Sequence, residues 1–103
     1  MHVVIWRYQV REEKREEFRR IYGEAGEWAA LFRRAGGFIE SRLLEDCDTP
    51  GHFVTLDIWA DERSRARFLE DHGDAYARLD DATAHLANRE KRVGTIVCGG
   101  WPF

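Results

Sequence analysis

The sequence predicts an α+β fold, with one antiparallel sheet of four strands and two helices in the order β-α-β-β-α-β. Three observations predict it. Alternating apolar residues mark short strands near both ends of the chain and twice in its middle. Between them lie two stretches whose apolar residues recur every three or four positions. The two middle strands are joined only by Asp46-Cys47-Asp48-Thr49-Pro50-Gly51, a run of turn-forming residues. A length of 103 residues suits one domain, 1–103.

The first strand is Val3–Val10. Val4, Trp6, Tyr8 and Val10 point one way, and Val3, Ile5, Arg7 and Gln9 the other. Glu12–Ala35 reads as helix. Its stripe is Phe18, Ile21, Tyr22, Ala25, Trp28, Ala29 and Phe32, and Gly36-Gly37 ends it. Gly23 and Gly26 sit inside this stretch, each costing about 1 kcal/mol relative to Ala, so a kink or a split into two helices is expected. Phe38–Glu45 and Phe53–Trp59 form a hairpin. In its second strand Phe53, Thr55, Asp57 and Trp59 share one face and Val54, Leu56 and Ile58 the other. Asp61 is a good N-cap for the next helix. Its stripe includes Phe68, Leu69, His72, Tyr76, Leu79 and Leu86, with a break expected at His72-Gly73. Lys91–Cys98 is the last strand, followed by a Trp101-Pro102-Phe103 tail.

Composition narrows the function. Lys plus Arg is 16 and Asp plus Glu 19, a formal charge of −3, which argues against nucleic acid as the main partner. No apolar run approaches the roughly 20 residues that span a bilayer. Met1–Val10 lacks the regions of a secretory signal, so a cytoplasmic location is expected. Cys47 and Cys98 form no CxxC pair, and His2, His52, His72 and His85 show no metal-ligand spacing. No metal and no cofactor are therefore expected.

The element order is that of the ferredoxin-like split βαβ fold, with strands one and three central. Trp6, Tyr8, Phe53 and Trp59 exceed what two helices can cover together with Val54, Leu56 and Ile58. An open, aromatic sheet face is expected, and a homodimer packed sheet to sheet would cover it.

Several segments carry a family resemblance. They are strand Val3–Val10, Tyr22-Gly23-x-x-Gly26-x-Trp28-x-x-Leu31-Phe32, Gly37-Phe38, Leu43-Leu44, Phe53-Val54-Thr55-Leu56-Asp57-Ile58-Trp59, Tyr76-x-x-Leu79 and the last strand with Gly94. Over nearly its whole length the chain resembles the antibiotic biosynthesis monooxygenase (ABM) family of dimeric α+β barrels. That resemblance implies a homodimer, a cavity between sheet and helices in each subunit, and cofactor-free oxygenation of small phenolic or quinol-forming aromatics. It also implies Trp59 as a pocket residue. An acidic phenol or anthrone, once deprotonated, reduces dioxygen itself, so the protein need only bind the anion, exclude water and supply a base.

Tyr22, Trp28 and Phe32 flank the glycine-broken segment and are candidate walls for an aromatic ligand; the alternative is that they only complete the core. His72 and Tyr76 lie one turn apart and are the candidate base and oxyanion donor. A histidine on an apolar stripe is otherwise a core residue. Arg42 and Asp57 are candidates to anchor a phenolate or to pair across the hairpin, if its register puts them on one face.

Three other readings compete. A non-catalytic or stress-associated barrel would bind such molecules without turnover. Haem-degrading relatives carry an Asn on the first strand, where this chain has Trp6 and Arg7. RNA-recognition domains share the element order, but the basic-Gly-aromatic start of their signature strand is replaced here by Pro50-Gly51-His52-Phe53.

Overall fold

The computed structural model describes residues 1–97 of the chain. The expected end of the last strand at Cys98 and the Trp101-Pro102-Phe103 tail lie outside the described residues. Strand β1 spans His2–Gln9, and a 3-10 turn at Glu12–Lys14 leads into α1, Arg15–Tyr22. Helix α2 is Glu27–Phe32, followed by the hairpin β2, Phe38–Glu45, and β3, His52–Trp59. Helix α3 is Glu62–Thr83 and β4 is Arg89–Val97. The sheet order is β2-β3-β1-β4, with every neighbouring pair antiparallel. This is the ferredoxin-like α+β fold, with β1 and β3 central as the sequence predicts.

The break in the first helical stretch falls at the two glycines. Gly26 has ordinary extended angles, so its backbone does not require glycine. Its surroundings do, because a Cβ there would overlap the carbonyl oxygens of Arg20 and Ile21. The chain doubles back tightly enough for α2 to start against the end of α1. Gly37, at φ +88°, then turns the chain into β2. In α3 the expected irregularity sits at His72, whose φ of −126° and ψ of 21° leave the helical region. Asp61 caps the helix as expected, its Oδ1 accepting from Ser64 N at 2.7 Å.

The two sheet faces differ from expectation. The aromatics lie under the helices, not on the open face. Tyr8 and Phe53 from the strands meet Phe18 and Tyr22, and Trp59 meets Phe32 and Phe68. Phe18 and Tyr22 stack at 4.1 Å and 15°. The helices bring rings of their own, and ring-on-ring packing is worth about 0.5–1.5 kcal/mol per pair beyond area burial. The two-residue period of the strands then sends the aliphatics Val3, Ile5, Val54, Leu56 and Ile58 to the other face. Leu44, opposite Val54, extends that face and is exposed.

Candidate active site

The strands place a short row of polar groups on an otherwise aromatic face. Register puts Val4 opposite Asp57, Trp6 opposite Thr55 and Tyr8 opposite Phe53. On the other side of β3, Ser41 stands opposite Asp57 and Arg42 opposite Leu56. Arg42 therefore faces away from Asp57, on the helix-free face of the sheet, with its Nε 3.4 Å from Glu40 Oε1. The cross-strand pair allowed by some registers is excluded by this one. Ser41 takes the place instead, its hydroxyl donating to Asp57 Oδ1 at 3.1 Å.

Asp57 sits at the base of a cleft between sheet and helices. The cleft is lined by Trp6, Tyr8, Tyr22, Trp28, Phe32 and Tyr76, with Ser41, Thr55, Asp80 and Glu90 as the remaining polar groups. Asp57 keeps some accessible surface, but that surface faces the cleft and is surrounded by protein. Burial raises its pKa to about 6; the Ser41 hydroxyl and the more distant Arg65 guanidinium offset part of the rise. Loss of solvation favours the uncharged carboxyl, and one hydrogen bond does not replace a hydration shell. Asp57 is thus ionised at neutral pH yet more basic than an ordinary aspartate.

Three phenols surround it. Burial raises the pKa of Tyr8, Tyr22 and Tyr76, so all three are protonated hydrogen-bond donors at neutral pH. Tyr22 is committed, its hydroxyl donating to Thr83 Oγ1 at 3.2 Å. That Thr83 hydroxyl in turn donates to Leu79 O at 2.9 Å, tying α1 to the end of α3. The indole N–H of Trp59 is buried without a partner among the described residues. Leaving such a donor unsatisfied costs about 1–3 kcal/mol. Trp59 lines the slot beside Asp57, where a ligand oxygen would satisfy it.

The cleft is narrow, with a volume of about 30 Å³, room for a water or two. A slot lined by Trp6, Phe32, Asp57, Trp59, Arg65 and Tyr76 continues it towards the N-terminal end of α3. The space is smaller than an aromatic ring, and Trp6 and Tyr76, which line both cleft and slot, are only partly buried.

Of the residues singled out in the sequence, the structure brings Tyr22, Trp28, Phe32, Asp57 and Tyr76 to the cleft and Trp59 to the adjoining slot. His72 is elsewhere: its ring packs 5.5 Å from Phe68 at the α3 kink and lines neither space. Sequence reasoning missed Ser41, Thr55, Asp80 and Glu90, and treated Asp57 as an anchor, not as a base. The available signal was a lone carboxylate on the aromatic face of Phe53-Val54-Thr55-Leu56-Asp57-Ile58-Trp59. Among the described residues, no three His, Cys, Asp or Glu side chains are grouped as metal ligands, and no helix is long and apolar enough to cross a membrane.

Comparison with known proteins follows the same outline. The family model "Antibiotic biosynthesis monooxygenase" matches residues 1–89. A variant of SnoaB, a cofactor-independent oxygenase from Streptomyces nogalater, superposes with a TM-score of 0.71 at 23% identity, covering 99% of this chain and 97% of that one. A Deinococcus radiodurans protein, named as a candidate antibiotic biosynthesis monooxygenase, gives 0.72 at 22% identity, covering 97% and 94%. A similarly named Nitrosomonas europaea protein gives 0.66 at 21% identity, covering 98% and 90%. At these identities the structures establish a shared fold. No curated protein sequence matches the chain significantly.

Proposed function

The chain belongs to the antibiotic biosynthesis monooxygenase family, and from that premise we propose that it is a cofactor-independent oxygenase of small phenolic or quinol-forming aromatics, with Asp57 as its base. One observation carries the reading: a carboxylate with a pKa of about 6 at the base of a cleft walled by aromatic rings. The aromatic walls suit a flat ligand, and the raised basicity suits proton removal from an acidic ring carbon or hydroxyl. Asp57 takes the proton, and the carbanion gives one electron to dioxygen. The radical pair joins as a peroxide, which Asp57 protonates. Loss of water then leaves a carbonyl, so that one oxygen atom enters the product and the other departs in water. Tyr76 and the unpartnered Trp59 indole N–H would stabilise the developing oxyanion. Trp59, Trp28, Tyr22 and Phe32 form the wall.

The working molecule in this proposal is a homodimer joined through the helix-free sheet face. The support is the aliphatic surface there, which includes Leu56 and the exposed Leu44.

The test is oxygen uptake by metal-stripped protein with a panel of hydroxyanthrones, quinols and polyphenols. Protein-dependent uptake with a quinone product is expected, rising with pH through about 6 as Asp57 ionises. Asp57→Asn is expected to lower kcat/KM by at least about 10²-fold. Uptake unchanged in Asp57→Asn removes the base assignment. No uptake from compounds that do quench the tryptophans turns the reading to a non-catalytic binding protein.

A further inference from the structure

Beyond the slot lies a second, wider space. It is lined by His2, Glu62, Arg65, Ala66, Leu69, Arg92 and Thr95 and has a volume of about 340 Å³. It shares Arg65 and Leu69 with the slot, which in turn shares Trp6, Phe32, Asp57 and Tyr76 with the cleft. The three spaces form a row under α3, with the roomiest at the N-terminal end of the helix.

This vestibule is electropositive by construction. Residues 92 and 95 are three apart, so in a regular strand they would point to opposite faces. A bulge in β4 changes that. Ile5 pairs with Gly94 and Trp6 with Arg92, leaving Val93 over. Arg92 and Thr95 thereby both face α3, and Arg92 Nη2 donates to Thr95 Oγ1 at 2.6 Å. Arg65 approaches from α3. It is half-buried, its pKa is lowered first by burial and then by Arg92, and among the described residues it makes no salt bridge or hydrogen bond. His2 is buried between them, and burial lowers its pKa, so it is neutral at pH 7. Glu62 is the one carboxylate lining the space. Two guanidiniums thus converge on a space whose own lining holds one acid, Glu62, while Asp57 acts on Arg65 from the slot side. The opposite end of the row carries Asp80 and Glu90, and Glu90 is itself pushed towards the neutral form by burial and by Asp80.

We propose that this vestibule binds a carboxylate on the aromatic substrate, held between Arg65 and Arg92, so that the natural substrate is an aromatic acid and not a neutral polyphenol. The inference rests on the cleft being the ligand site but not on catalysis. A carboxylate entering the other way would meet Asp57, Asp80 and Glu90. The charges along the row therefore fix orientation: acid group outward beneath the start of α3, ring inward through the slot to Asp57. Guanidinium is suited to the outer position, since its planar fork grips a carboxylate through two hydrogen bonds.

The test is tryptophan quenching by three ligands at low and high salt: a dihydroxyanthraquinone, its ring carboxylic acid and the methyl ester of that acid. The acid is expected to bind at least tenfold more tightly than the ester at low salt, with the gap narrowing as salt rises. Arg65→Gln and Arg92→Gln are each expected to close most of the gap by weakening the acid far more than the ester, and Arg92→Lys to retain part of it. Equal affinity for acid and ester, or no binding of the acid, overturns the proposal. So does a preference that survives both glutamine variants. If a variant does not fold, the acid-against-ester comparison on the unaltered protein still decides. Oxygen uptake is scored separately: an acid preference without uptake keeps the vestibule and removes the oxygenase, and uptake without a preference does the reverse.

Discussion

Asp57 carries a cost to the fold that its proposed role as a base would explain. Its pKa of about 6 exceeds the ordinary aspartate value of 3.8, so the folded state binds its proton more tightly than the unfolded chain does. The sign follows from linkage. Stability from this group is complete below about pH 4 and is lost as pH rises through about 6. At pH 8 the ionised, buried carboxylate therefore destabilises the fold, by about 2–3 kcal/mol. Asp57→Asn is expected to raise the unfolding free energy by a similar amount at pH 8 and to have little effect near pH 4, as denaturant titrations at the two pH values would show. A variant that is more stable but inactive is the signature of a functional carboxylate; equal loss of stability at both pH values would mark Asp57 as structural. The residue's face was legible in the sequence, since alternation put it with Phe53, Thr55 and Trp59. Its partner was not. Whether Ser41 or Arg42 stands across from it depends on the hairpin register, and a loop of several residues leaves that open by one position.

At the scale of elements, the glycines separate positions that local preference alone treats alike. Gly23, Gly26 and Gly73 each interrupt an apolar helical stripe. Gly26 is confined by the carbonyls of Arg20 and Ile21, whereas a Cβ on Gly73 would meet nothing within 4 Å. Gly26→Ala is expected to cost at least about 2 kcal/mol, because rigid backbone must move. Gly73→Ala, in a helix interior with open space, is expected to gain about 0.5–1 kcal/mol. Thermal melts of the two variants should shift in opposite directions. Strand and helix positions were readable because binary patterning and breakers agree along this chain. The bulge in β4 was not read, although Gly94 inside the strand is the kind of residue that marks one; the pattern does not say which neighbour is left over. With it went the convergence of Arg65 and Arg92.

For the whole molecule, element order and strand order followed from the pattern and from the handedness of crossovers. The assignment of faces did not follow so simply. The sequence shows that β1 and β3 each have an aromatic and an aliphatic side, but not which side the helices cover. That choice is made by the rings on α1, α2 and α3, through contacts such as Phe18–Tyr22 and Trp59–Phe68. The outcome leaves aliphatic side chains on the helix-free face, where Val3 and Ile58 are buried, Leu56 is partly buried and Leu44 is exposed. Leu56→Asp, on the face of β3 turned away from the cleft, is expected to convert a dimer to a folded monomer, read by sedimentation and circular dichroism. An unaltered protein that sediments as a monomer at micromolar concentration would end the dimer proposal.

The tightness of the cleft has a consequence for time as well as for space. With about 30 Å³ beside Asp57, a ring is admitted only by a form more open than this one. Apparent affinity is then the intrinsic affinity scaled by the population of that form; if the open form is present about 1% of the time, binding weakens about a hundredfold. Capture becomes a gated event. Its observed rate should climb with ligand concentration only until it reaches the frequency of side-chain opening, and then level off. In the proposed reaction, a gate of this kind would also keep bulk water from the carbanion during the interval in which it meets dioxygen.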